Sequence, residues 1–140
     1  MRINFQIVHF SDPMNKLKYI TTLLLLTVTL VSFSQIDSSR AYLGQDVAKK
    51  RLSEALANPD NYDGWNKAIV NQEEAIERSE YVAFKKFGKK QIIEQRPYEV
   101  HYIDDYWIIS GTLPIDYDGG TFVIIINSKD GRIIRLYHEQ

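Results

Sequence analysis

The 140-residue sequence contains no cysteine. Disulfides, thiolate metal sites, a cysteine nucleophile and acylation at a lipoprotein cysteine are excluded together. Charge of one sign is also lacking: 17 basic and 18 acidic side chains give a formal net charge of −1. A nucleic-acid binder needs a concentrated basic surface to displace counterions from phosphates, so no nucleic-acid partner is expected. Signatures of catalysis are missing as well. There is no His-Glu-x-x-His, no Gly-x-Ser-x-Gly, no phosphate loop and no dinucleotide fingerprint. What is present is ordinary for a globular domain, with 44% hydrophobic, 12% aromatic and 25% charged residues. That composition excludes wholesale disorder, collagen and coiled coil, and the length favours one domain.

The first third reads as an address. No charged residue stands between Tyr19 and Ile36, Leu23 to Leu26 are four consecutive leucines, and Lys16 and Lys18 lie just upstream. Ser32-Phe33-Ser34-Gln35 then offers small residues three places and one place before a cut after Ser34. A basic start, an apolar middle and a small-x-small exit are the parts of a secretory signal peptide. A spanning helix needs about 20 strongly apolar residues, whereas threonines and serines dilute this run. Residues 1–34 are therefore expected to be an N-terminal extension and signal peptide, with the true start at Met14. Cleavage leaves residues 35–140 as a single exported domain, periplasmic or secreted, with no stable membrane span. Removing Arg2, Lys16, Lys18 and Asp12 leaves 14 basic and 17 acidic side chains.

Within that domain the apolar periodicity predicts a helix over 44–57, with Val47, Ala48, Leu52, Ala55 and Leu56 inward and Lys49, Lys50, Arg51 and Glu54 toward water. Asn58-Pro59 stops it, because proline lacks an amide hydrogen and restricts its predecessor. A second helix is expected over 71–87, with Asn71 as N-cap, Glu74 completing a capping-box-like pair and Gly88 as a left-handed stop. Its buried stripe reads as Ile76, Ala83 and Phe87, with Ala75 and Val82 at the margin. The charged residues from Arg78 to Lys90 read as its solvated face. Residues 36–42 read as a tail. Strands are expected over 97–103, 106–112, 121–127 and 132–138, rich in Ile, Val, Tyr, Phe and Trp. The fold class is thus α+β, one or two N-terminal helices packed on a four-stranded antiparallel meander. Phe122 to Ile126 is apolar throughout, so this strand needs cover on both faces. Either the first helix or another chain must supply it.

Few residues carry chemistry. His101 reads as a rim histidine beside the Asp104-Asp105 turn. Asp116-Tyr117-Asp118-Gly119-Gly120 lacks the ligand alternation of a calcium hand, and its twelfth position is Asn127 rather than a bidentate Glu. No metal site, no other cofactor and no catalytic residue is expected. The aromatic surplus of Tyr98, Tyr102, Tyr106, Trp107, Tyr117 and Tyr137 reads mostly as core or cross-strand pairs. An exposed cluster among them would instead mark a protein-binding surface.

Glu73-Glu74-Ala75-Ile76, Phe87-Gly88, Arg96-Pro97-Tyr98, Asp104-Asp105-Tyr106-Trp107-Ile108-Ile109-Ser110-Gly111-Thr112-Leu113-Pro114, Gly119-Gly120-Thr121-Phe122 and Asp130-Gly131-Arg132-Ile133-Ile134 follow one another in a familiar order. Over about residues 71–138 the chain resembles the nuclear-transport-factor-2-fold immunity proteins of bacterial polymorphic toxin systems. Trp-Ile-Ile-Ser-Gly-Thr-Leu-Pro and the following Gly-Gly-Thr-Phe are the most specific parts. The resemblance implies that fold, in full or as a reduced cone, and a non-enzymatic protein that binds and neutralises a cognate toxin. Export would restrict it to toxins acting in or crossing the cell envelope. The candidate partner-binding residues are Asp116, Tyr117 and Asp118 on one loop and Asp104 and Asp105 on another. In a meander these loops fall at opposite ends of the sheet. The alternative is a small exported ligand-binding or hydrolase-like domain of the same broad fold, which predicts a concave cavity holding a perturbed carboxylate or histidine.

Overall fold

The computed structural model describes residues 37–60, 62 and 65–140. The leader expected over residues 1–34, including the start at Met14, lies outside the described residues. So do Asn61, Asp63 and Gly64 of the turn that follows the first helix. In chain order the elements are β1 (Arg40–Ala41), α1 (Gln45–Ala57), α2 (Gln72–Phe87), α3 (Lys89–Ile93), β2 (Glu99–Ile103), β3 (Tyr106–Ser110), β4 (Leu113–Pro114), β5 (Phe122–Asn127) and β6 (Ile133–His138). The fold class is α+β, with an antiparallel sheet in the order β2-β3-β5-β6. Of the tail expected over 36–42, the described part, residues 37–42, is more than a tail, because β1 pairs with β4, Arg40 opposite Pro114 and Ala41 opposite Leu113.

Every residue from Phe122 to Ile126 is fully buried. Alternation along β5 sends Phe122, Ile124 and Ile126 to one face and Ile125 to the other. The first face meets Ala75 and Ala83 of α2, Ile92 of α3 and Ile69. The second meets Ala48, Leu52 and Ala55 of α1. The two-sided cover therefore comes from this chain's own first helix. Strand β6 serves both faces through a bulge. Its register slips opposite Ile125 and Ile126, so Ile133 and Leu136, three residues apart, share the α2 core while Ile134 joins the other. The outer edge of β6 is occupied, since Asp60 N donates to the Ile134 carbonyl at 2.8 Å and Lys86 Nζ to that of Leu136 at 2.9 Å. An edge so covered is closed to strand addition.

Helix α2 begins as expected: Asn71 Oδ1 accepts from the Glu74 amide at 2.8 Å. The reciprocal bond differs, because Glu74 Oε2 accepts from the Val70 amide rather than that of Asn71. The buried stripe is Ala75, Ser79 and Ala83, all fully buried, while Ile76 and Phe87 are only part-buried. Small side chains let the helix axis approach the sheet, and Ser79 answers its own hydroxyl by donating to the Ala75 carbonyl at 2.7 Å. Gly88 does adopt a positive φ of 93°, but its ψ of 135° is extended rather than left-handed helical, and it leads straight into α3. Two further expectations are corrected by burial. Arg51 and Arg78, assigned to solvated faces, are only 6% and 8% exposed, whereas Leu56 is 47% exposed.

Candidate functional site

The Asp104-Asp105 turn joins β2 to β3 with both residues at positive φ, 49° and 66°, a conformation aspartate tolerates better than most residues. Its acids are not equivalent. Asp105 accepts from Lys129 Nζ at 2.7 Å and from the Tyr102 hydroxyl at 3.1 Å, and these hold its carboxyl below the usual range. Asp104 is exposed with no side-chain bond among the described residues. Since Lys129 belongs to the β5–β6 turn, Asp105 is neutralised within this end of the sheet and Asp104 is not.

At the other end, the connection from β4 to β5 carries Asp116, Tyr117 and Asp118, all exposed, with Tyr117 64% exposed. Neither acid forms an ion pair among the described residues, and the Tyr117 amide donates to the Pro114 carbonyl at 3.0 Å. The loop is anchored where it returns to the sheet. A Cβ on Gly120 would stand 1.8 Å from the Glu139 carbonyl oxygen, so glycine is required for this backbone approach. Gln95, 4% exposed, ties the same region together. Its carbonyl accepts from Thr112 N and its Oε1 from Phe122 N, both at 2.9 Å, and its Nε2 lies 3.4 Å from His138 Nε2. Between this loop and α3 runs a groove of about 460 Å³, with Tyr117, Asp118, Gln95 and His138 on its walls. The topology separates the two acidic clusters, as expected.

The perturbed groups lie elsewhere. Burial alone would raise Glu99, but bonds from His101 Nε2 at 2.9 Å and from the Leu43 and Gly44 amides at 2.9 and 2.7 Å hold its carboxyl low. It thereby pins the entry to α1 against β2. His101 is oriented by Glu99 and not by the Asp104-Asp105 turn. Burial, and then the bond to Glu80, raise the Tyr98 phenol, whose ring packs edge-on to Phe122 at 5.2 Å. Both read as fold-building groups. Among the described residues no cluster of three acidic or histidine side chains could hold a metal ion, and no helix is long and apolar enough to cross a membrane.

The aromatic surplus divides. Tyr98, Tyr106 and Trp107 pack against the cores, and the Trp107 indole donates to the Ile69 carbonyl at 3.1 Å. Tyr102 is 52% exposed against Trp107, beside Val70 at 75%. A further exposed pair, not singled out from the sequence, is Trp65 (44%) and Tyr81 (50%), in edge contact at 6.0 Å. A tryptophan standing beside a turn, outside any strand or helix, is the signal that would have found them.

Residues 74–140 match the family described as NTF2 fold immunity protein. Two Escherichia coli (strain K12) proteins described as uncharacterized are also similar. YhhH is 32% identical over 71 residues, covering 50% of this chain and 56% of that protein. YbbC is 29% identical over 82 residues, covering 58% of this chain and 66% of that protein. The chain thus spans from just over half to just under two thirds of the length of these relatives. No solved structure matches it.

Proposed function

We propose, on the premise that residues 74–140 belong to the NTF2 fold immunity protein family, that this chain is an immunity protein that binds and neutralises a cognate bacterial toxin in the cell envelope, without an enzymatic step. The family match carries the reading. The envelope location draws on the signal-like pattern from Lys16 to Ser34. The binding surface we assign is the Asp116–Gly120 loop. What supports it is that Tyr117 stands 64% exposed between two acids that no neighbouring base neutralises among the described residues. An aromatic anchor flanked by unspent charge gives contact area and electrostatic steering at once. The Asp104-Asp105 end is the weaker candidate, because Lys129 already answers Asp105. One observation favours the second reading, a ligand-binding domain. The groove beside the loop, at about 460 Å³, falls within the range of small-molecule sites, about 300–1,000 Å³.

The experiment is co-purification with the product of the neighbouring gene, followed by affinity measurement. Changing Asp116, Tyr117 and Asp118 together to Ala is expected to weaken binding at least tenfold, about 1.4 kcal/mol, with an unchanged melting midpoint. Unchanged affinity removes the loop from the interface. N-terminal sequencing of the exported protein should begin at or near Gln35; an intact amino terminus in the cytosolic fraction sinks the envelope location.

A further inference from the structure

The cleft between residues 65–69 and α2 contains a cation that the fold does not use. Arg78 is 8% exposed, its guanidinium carbon sits 4.3 Å from the centre of the Trp65 ring, and its Nε has no hydrogen-bond partner among the described residues. Among the described residues it forms no ion pair. Two of the three acids that line the cleft are committed elsewhere. Glu74 is held by Lys67 Nζ at 3.6 Å and by the Val70 amide at 3.1 Å, and Glu80 by Arg96 and the Tyr98 hydroxyl. Glu77 stands exposed at the rim. A buried donor left without a partner is costly, and desolvation already pushes Arg78 below its ordinary value.

The same fold shows what a completed site looks like. Arg51, equally buried at 6%, meets Glu139 through Nε at 3.0 Å and through Nη2 at 2.7 and 2.6 Å, and donates from Nη1 to Ser110 Oγ at 3.2 Å. Arg78 has the burial without the acid. Around it the cleft, about 290 Å³, is walled by Trp65, Tyr81 and Phe84, apolar surface suited to the methylenes of a short acidic side chain. A stacked guanidinium with an open edge favours planar carboxylate recognition.

We propose that this cleft is the seat for an acidic side chain of a protein partner, its carboxylate pairing with Arg78 and its stem lying against Trp65, Tyr81 and Phe84. The proposal rests on the toxin-binding reading only in taking that partner to be the toxin. The cleft is separate from the Asp116–Gly120 loop; although Glu74, Glu77 and Glu80 also line it, Glu74 and Glu80 are already paired, and Arg78 is the cation it offers to a partner's acid, where the loop offers acids to a basic patch.

The probe is N-acetyl-glutamate α-methylamide, titrated into the purified chain while the Arg78 Nε–H and Trp65 indole resonances are followed, with the glutamine counterpart as neutral control. Saturable shifts are expected with the glutamate compound, at least tenfold weaker with the glutamine compound, and lost in Arg78→Met. The Arg78→Met chain should melt at or above the wild-type midpoint, since it sheds an unpaired buried charge. Equal responses to both compounds, or none, overturn the proposal. So does a midpoint that falls alike in Arg78→Met and Asp63→Asn, which would assign the missing carboxylate to this chain. In a second arm, affinity for the neighbouring gene's product should drop at least tenfold in Arg78→Met, and equal binding by both chains overturns the proposal. Failure of that product to bind wild type instead overturns the toxin reading, and the titration then decides the cleft alone.

Discussion

The two faces of the sheet are built by opposite means. On the α1 face the polar groups are closed within the chain: Arg51 is met by Glu139 and Ser110, and Glu99 by His101 and two backbone amides. On the α2 face Arg78 finds no acid among the described residues, and Trp65 and Tyr81 beside it stand partly in water. Both faces bury a continuous apolar layer, so the difference does not lie in the core. A buried charge completed at home serves the fold, whereas one left incomplete has stability to gain only from something that arrives.

The largest effect tests whether both layers are true cores. Ile124 and Ile125 are neighbours on β5, fully buried, and point to opposite faces. Each changed to Ala should cost about 2–5 kcal/mol from lost transfer energy and the cavity left behind. Denaturant titration of both variants checks it. A cost for Ile125→Ala below about 1 kcal/mol would mean that α1 does not seal its face.

The next separates the two arginines. Arg51→Met strands the Glu139 carboxylate and Ser110 Oγ, and should lower stability by about 2–3 kcal/mol, at or below the low end for a broken buried pair because Glu139 keeps a third of its exposure. Arg78→Met should cost nothing by the same measurement. Equal losses would erase the contrast between the faces.

Much of this was legible in residue order. Asn71, Glu74 and Gly88 marked α2 to within a residue, and alternating apolar runs with short polar turns gave the meander and its order. The unbroken Phe122–Ile126 stretch required cover on both faces, from the first helix or from another chain, and α1 supplies it. The two buried arginines were not legible. Periodicity sorts residues by hydropathy, and an arginine reads as solvent-facing unless its distant partner is known. Glu139 lies 88 residues from Arg51, and the Trp65 ring comes from outside every periodic element. The Asp116–Gly120 loop was placed correctly at the far end of the sheet by topology alone. The groove beside it was not foreseen, because its walls come from α3 and His138.

The smallest effects concern two carboxyls that are both held below their ordinary values. Glu99 is buried and held by His101 and two amides, whereas Asp105 is half-exposed and held by Lys129 and Tyr102. A carboxyl whose folded value is depressed contributes stability above its unfolded value, about 4.3 for glutamate, and loses it as pH falls through the folded one. Wild type should therefore lose stability below about pH 4.3 in part through Glu99. Glu99→Gln should flatten that acid limb while lowering stability at pH 7 by about 1 kcal/mol, as hydrogen bonds to a charged acceptor become neutral ones. Asp105→Asn breaks a pair that water and salt already screen, so its melting midpoint should match wild type in moderate salt. Melting curves across pH 3 to 7 for the three chains compare the two carboxyls directly. An acid limb that survives Glu99→Gln but disappears in Asp105→Asn would move the pH-sensitive contact from the α1 entry to the hairpin turn, and the contrast between a closed α1 face and an open α2 face would lose one of its two supports.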